Sequence, residues 1–393
     1  MVLKSASTSS ALLFCKLFLD FCLLPVPKGG RPEVVGIVRL DAIGDFVVWL
    51  PAAQALVAHQ RVKQKQVVLI VNQLWAPWAE SLLQVDQVVA VDVNLFAKGL
   101  RYRVSMLQRI RRLQLGSIIV PAYSRIPGDG NDAIAFASGA RTRIANKGYR
   151  SKNRLAGWLR TLLNIGYSQV VATDEIWSSG NSPKSELEIN ASFVKALGIS
   201  QNGLLGKLPI SQPHGIYDLQ MPEEPYVVMI PGGSWSGKAW PLERFVELAR
   251  QLNAHGFEVV VSGSEGERAI CDELASACSG RNIAGRTSLQ TLAEVIGGAR
   301  LVIGNDSAGI HIAVAAGVDS VCVMWGGSFG RFIPYKKEIL PRGLEARAVY
   351  RHMDCFGCTG PCPYPTVSGK VKCIDAVPVS EVWATVHDVL GKK

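Results

Sequence analysis

"YVVMIPGGSWSGKAWPLERFVELARQLNAHG" spans residues 226–256 and contains one strand–loop–helix unit. Tyr226 to Ile230 is a short apolar run, the composition of a strand covered on both faces. The text turns amphipathic after Pro241, which is read as the first residue of a helix. Between them lies "PGGSWSGKAWP" (231–241), in which Gly232, Gly237 and Lys238 satisfy G-x-x-x-x-G-K. Ala239 stands where a P-loop needs the hydroxyl that ligates Mg²⁺, and Pro241 leaves Lys238 upstream of the helix. A nucleoside triphosphatase loop is therefore disfavoured. What remains is the backbone of Gly232 and Gly233, the Ser234 hydroxyl and one ammonium, a set suited to a diphosphate. The competing reading is an ordinary strand-to-helix turn with a solvated lysine.

The alternation of strand and helix extends both ways from this unit. "VVGIVRL" (34–40), "QVVLIVN" (66–72), "QVVAVDV" (87–93) and "SIIVPAY" (117–123) are apolar strand-like runs with helical text between them. "SELEINASFVKALG" (185–198) closes that half as a helix. Residues 201–225 are rich in Pro, Gly and polar side chains and read as a linker, after which "EVVVSG", "LVIGND" and "SVCVMWGG" resume the pattern. The expected fold class is α/β, with two doubly wound Rossmann-like units. The expected domains are an apolar segment over 1–30, an N-terminal unit over 31–200, the linker, and a C-terminal unit over 226–393.

With 393 residues, 48% hydrophobic and 19% charged, the chain can bury a large core, and global disorder is excluded. A net charge of +10 favours anionic partners without choosing among them. "SALLFCKLFLDFCLLPV" (10–26) carries Lys16 and Asp20 within it and is shorter than the roughly 20 residues of a membrane span. It is read either as an interfacial helix or as a helix packed on the protein itself. Nine cysteines in so long a chain do not suggest a secreted disulfide framework. Cys271, Cys278 and Cys322 fall in core-like runs, whereas Cys355, Cys358, Cys362 and Cys373 are spaced C-x₂-C-x₃-C-x₁₀-C. That spacing allows a structural zinc site, or a set of thiols bracing a Pro-rich loop.

Two further loops carry chemistry. "LVIGNDSAGIHIAVAAG" (301–317) runs from a strand through Asp306 and Ser307 into a helix of small residues, whose N-terminus favours negative charge. Asp306 is read as an N-cap or as an acceptor for sugar hydroxyls, and His311 is placed on the same helical face as Ser307. "RLDAIGDFVVWLP" (39–51) places Asp45 at the tip of the first strand, as an N-cap or as a general base. No G-x-G-x-x-G follows any strand, which argues against a dehydrogenase.

Together these loops resemble those of glycosyltransferase family 9, the lipopolysaccharide heptosyltransferases. The resemblance rests on Arg39, Leu40, Ile43, Gly44 and Asp45; on Pro231, Gly232, Lys238, Trp240 and Pro241; and on Thr287 to Ile296 leading into the Gly304–Gly317 stretch. It implies a GT-B architecture with two Rossmann-like domains facing a cleft. It also implies inverting transfer of a sugar, heptose from ADP-heptose in such enzymes, to a lipopolysaccharide-type glycolipid. Asp45 would be the base, and Lys238 would stabilise the leaving diphosphate. Gly232, Gly233, Ser234, Ser307, Ala308, Gly309 and His311 would line the donor site, with Asp306 near the sugar, Glu265 at the ribose and Thr287 near the base. Arg39 would lie on the acceptor side. Ala308 departs from the glycine that many members carry there. No cofactor, catalytic metal or nucleic-acid partner is implied, and the expected location is the cytoplasmic face of the inner membrane, with peripheral attachment. The alternative is a protein of the same fold that binds a nucleotide sugar or glycolipid without turnover.

Overall fold

The computed structural model describes residues 30–125, 130–148, 154–173, 184–210, 219, 221–223, 225–358 and 362–392. The apolar 1–30 segment, apart from residue 30, and parts of the 201–225 linker lie outside them. Among the described residues no helix is long and apolar enough to cross a membrane. The chain divides into two compact units, with the boundary between Leu204 and Leu205.

The first unit is built on a six-stranded sheet ordered β3-β2-β1-β4-β5-β6. Its strands are Arg31–Arg39 (β1), Gln66–Asn72 (β2), Gln87–Val91 (β3), Leu115–Val120 (β4), Thr142–Asn146 (β5) and Gln169–Val171 (β6). All neighbouring pairs are parallel. Both faces of such a sheet must be covered, so β1 and β2 are nearly continuous apolar text: Val34, Val35, Ile37 and Val38 on one strand and Val67 to Val71 on the other are buried. Helices Ile43–Val62, Leu100–Arg112, Arg154–Ile165 and Glu186–Ala196 are among those that supply the cover.

In the second unit the strands are Tyr226–Ile230 (β7), Glu258–Val261 (β8), Arg281–Asn282 (β9), Leu301–Asn305 (β10), Ser320–Val323 (β11) and Ala346–Val349 (β12). Their order is β12-β11-β10-β7-β8-β9, again with parallel pairs throughout. Read from either unit's first strand, the two sheets have the same winding, a doubly wound Rossmann order. Helix Leu242–Ala254 begins one residue later than the sequence suggested, with Pro241 at its N-cap. Phe245, Leu248, Ala249 and Leu252 form its buried stripe at helical spacing, and they pack with Val227, Met229 and Val259 of the sheet.

In a doubly wound sheet the chain reverses direction between the first and fourth strands of the winding. The loops at the carboxyl ends of those strands splay apart and leave a crevice. In the first unit these are the loops after β1 and β4. In the second they are the loops after β7 and β10, the two stretches in which the sequence places Lys238 and Asp306.

Candidate functional site

In the second unit the two loops are tied together by one side chain that the sequence reading passed over. Asn305 ends β10, fully buried. Its Nδ2 donates to the carbonyls of Pro231 and Gly232 at 2.6 and 3.1 Å, and its Oδ1 accepts from the Trp240 N–H at 2.9 Å. The glycine loop is thus clamped near both ends by a single carboxamide. Trp240 is itself held, its Nε1 donating to the Val377 carbonyl at 2.9 Å. Within the clamp, Ser236–Lys238 forms a 3₁₀ turn that directs Lys238 across the crevice. The Lys238 ammonium donates to the Asp306 carbonyl at 2.8 Å. An ammonium has three donors, and this bond uses one of them.

Asp306 is buried, and its carboxylate is engaged on the protein side. Oδ2 accepts from the Trp325 Nε1 at 3.3 Å and from the Ser328 hydroxyl. The residue organises the crevice through both its backbone and its side chain; it is not the N-cap of the next helix. That position belongs to Ser307, which has extended backbone (φ −148°, ψ 172°) ahead of helix Ala308–Ala316. The Ser307 Oγ is inaccessible to solvent yet has no hydrogen-bond partner. A buried hydroxyl without a partner is uncommon, and this one sits at a helix N-terminus beside a lysine. Gly309 lets that helix close on β7: a Cβ there would stand 2.0 Å from the Ile230 Cδ1.

His311 lies one turn further along, also buried, with its Nδ1 2.6 Å from the Tyr335 hydroxyl. Burial is the main cause that lowers its pKa to about 4; Asp306 opposes the shift and Lys238 adds to it. The imidazole is therefore neutral near pH 7.

The glycine loop departs from expectation in one respect. Gly233 N–H, read as open to a phosphate, donates to the Glu267 Oε1 at 2.7 Å, and a Cβ on Gly232 would stand 2.0 Å from the same oxygen. A side chain on Gly232 would displace the Glu267 carboxylate that packs against the loop. Glu267 also accepts from the Ser264 N–H and hydroxyl at 2.8 and 2.7 Å, closing a capping box. The Ser-x-x-Glu spacing was legible in "SGSEGE"; its reach to the glycine loop was not. Ser234 is exposed on the loop. Glu265, on the outer side of that turn, is exposed and paired with Arg268 at 2.9 Å, which holds its carboxyl below the usual range. Thr287 is half-buried, just before the Ser288 that caps helix Leu289–Gly297. Ala308 is half-buried in the first turn of its helix.

In the first unit, Asp45 lies in the first turn of helix Ile43–Val62, half-buried, and the N-cap position belongs to Ala42. Its loop is pinned from beneath. The Asn72 Nδ2 donates to the carbonyls of Leu40 and Asp41 at 3.3 and 3.1 Å, and the Trp75 Nε1 donates to the Asp41 carbonyl at 2.9 Å. Phe46 stacks on Trp75 with ring centroids 4.3 Å apart, fixing the helix start. Arg39 is a correction to the sequence reading. Its side chain is 0% exposed; it donates to Asp41 at 2.8 Å, Asn190 at 3.0 Å and Glu186 at 3.3 Å, and lies over Trp49. It is not available to touch an acceptor, because a buried guanidinium must be paired within the fold. It anchors the Asp45 loop to helix Glu186–Ala196.

Cys271, Cys278 and Cys322 are buried, as read. Cys355, Cys358, Cys362 and Cys373 line one small pocket with Trp325, Gly326 and Tyr364, and the Cys373 Sγ accepts from the Gly326 N–H at 3.4 Å. Among the described residues no three His, Cys, Asp or Glu side chains are arranged to hold a metal ion.

The winding and the paired crevice loops define a class, the GT-B-type fold of two Rossmann-like units in tandem. It is the fold of E. coli ADP-heptose LPS heptosyltransferase II, which matches with a TM-score of 0.63 at 16% identity, over 92% of this chain and 99% of that one. E. coli heptosyltransferase WaaC with ADP matches with a TM-score of 0.60 at 17% identity, over 91% and 98%. The profile of glycosyltransferase family 9 (heptosyltransferase) matches residues 185–349. The lipopolysaccharide core heptosyltransferase OpsX of Haemophilus influenzae is 30% identical over 298 residues, 73% of this chain and 77% of its own length. The chain belongs to glycosyltransferase family 9, the heptosyltransferase family. Lipopolysaccharide heptosyltransferase 2 of Salmonella typhimurium is 31% identical over 119 residues, and that match spans 34% of its length.

Proposed function

We propose that this chain is an inverting glycosyltransferase that moves a heptose from ADP-heptose to a lipopolysaccharide-type glycolipid, working at the cytoplasmic face of the inner membrane. The observation that carries the reading is the unpartnered Ser307 hydroxyl at a helix N-terminus, beside the ammonium of Lys238. Family membership and the likeness to an ADP-bound heptosyltransferase support it.

The acceptor hydroxyl attacks the anomeric carbon while Asp45 takes its proton. The bond from that carbon to the diphosphate oxygen breaks on the opposite face, and ADP leaves with the electron pair. Negative charge grows on the diphosphate as it departs. In this reading Lys238, the Ser307 hydroxyl and the N–H groups opening helix Ala308–Ala316 stabilise that charge as preorganised donors, with no divalent cation called for. Glu265 and Thr287 serve the nucleoside. Asp306 acts by holding Lys238 and the Trp325–Ser328 turn in place.

Asp45→Asn tests the base. With ADP-heptose and a matched acceptor, kcat is expected to fall by about 10²-fold or more while donor binding is kept. An unchanged kcat removes Asp45 from the mechanism. Lys238→Ala is expected to lower kcat by a further independent route, about 10²-fold for one lost charge-stabilising donor.

A further inference from the structure

We infer that helix Arg154–Ile165 docks the chain on an anionic phospholipid surface, with Trp158, Leu162 and Ile165 entering the lipid interface. The inference rests on the glycolipid-acceptor reading above and gives it a physical surface.

These three side chains are 60%, 44% and 76% exposed. Their spacing of four and three residues sets them in one row along the helix. The other face is occupied: Leu163 packs on the core of the unit and Arg160 is buried. A tryptophan in an exposed apolar row is costly in water and suited to the headgroup boundary, where its ring is half apolar and half polar.

Charge says what covers the row. Residues 93–173 hold 14 Lys and Arg against two Asp, leaving the rest of the chain with 28 basic and 30 acidic residues. The whole basic excess therefore falls in the stretch of sequence that contains this helix, and the Arg143 guanidinium bonds the Gly166 carbonyl just past its end at 3.2 Å. Of the two acids, Asp132 is buried against Arg125. Arg101, Arg109, Arg112, Arg141 and Lys147 are exposed. A second copy of the chain would bring two surfaces of like sign together, whereas an anionic bilayer offers the opposite sign and an apolar interior at once.

The test is sedimentation of the full chain with vesicles of phosphatidylglycerol and phosphatidylethanolamine, compared with phosphatidylcholine alone. The wild type is expected to bind the anionic vesicles, and the W158S/L162S/I165S variant to bind at least about tenfold more weakly. Because the three side chains are exposed, the variant is expected to keep its melting temperature and its transferase rate on a deacylated, soluble acceptor. Equal sedimentation of variant and wild type overturns the inference. So does a variant lacking residues 1–26 that loses binding while the triple variant keeps it, since the apolar N-terminal segment would then be the anchor. Absence of transfer to any soluble acceptor would count against the acceptor reading instead, and the vesicle result stands apart from it.

Discussion

Asn305 holds both ends of the loop that borders the crevice of the second unit. Its carboxamide donates to two carbonyls and accepts one N–H, so both ends of the 231–240 loop depend on its amide chemistry. Asn305→Asp keeps the shape but aims a carboxylate at two carbonyl oxygens in a dry site. The expected cost is about 3 kcal/mol or more in urea unfolding, together with weaker ADP binding. Stability and affinity equal to wild type would show that the loop is held by something else. His311 makes a pH-dependent contribution. Its folded pKa, about 4, lies below its ordinary value near 6.5, so the unfolded chain binds the proton first as pH falls. Stability is therefore intact above about pH 6.5 and declines between there and about pH 4. His311→Asn is expected to flatten that part of a melting-temperature profile, and an unchanged slope would assign the loss to other groups.

Helix Glu186–Ala196 shows how an element far along the chain supports the Asp45 loop. Ser185 caps it with a reciprocal box: its backbone N–H donates to the Glu188 carboxylate at 2.8 Å, and its hydroxyl accepts from the Glu188 N–H. The cap holds Glu186 in the first turn and Asn190 one turn on, where both accept from Arg39. Ser185→Ala is expected to cost about 1 kcal/mol, the usual worth of an N-cap, measured by urea denaturation. Helix Ala308–Ala316 shows the opposite economy. It lacks a side-chain cap, because the Ser307 hydroxyl is left without a partner. One helix start is capped by its own side chains; the other has no side-chain cap.

The two units repeat one winding and differ in what their crevice loops carry: a pinned carboxylate in the first, an ammonium and an open helix N-terminus in the second. ADP is therefore expected to act on the second unit. At a hundredfold excess over Kd it should stabilise that unit by about 2.7 kcal/mol. Hydrogen-exchange protection should gather in 231–240 and 304–311. Protection confined to the first unit would reverse the assignment of donor and acceptor sides.

Much of this was present in the order of residues. Apolar runs such as "VVGIVRL" and "YVVMI" can be satisfied only by a sheet covered on both faces, so the tandem α/β architecture follows from composition and spacing alone. The proposal of an anion site at the glycine loop and the small-residue helix likewise starts from their residue types, since phosphate chemistry asks for those types near a strand end. The partners of the polar side chains were not readable. That Glu267 fills the glycine loop, that Asn305 clamps it, that the Asp306 carboxylate turns to Trp325 and Ser328, and that Arg39 is buried all depend on contacts between residues distant in the chain. Local sequence fixes which backbone conformations are cheap. Which buried polar group meets which partner is decided only when packing removes water and each donor must find an acceptor among its new neighbours.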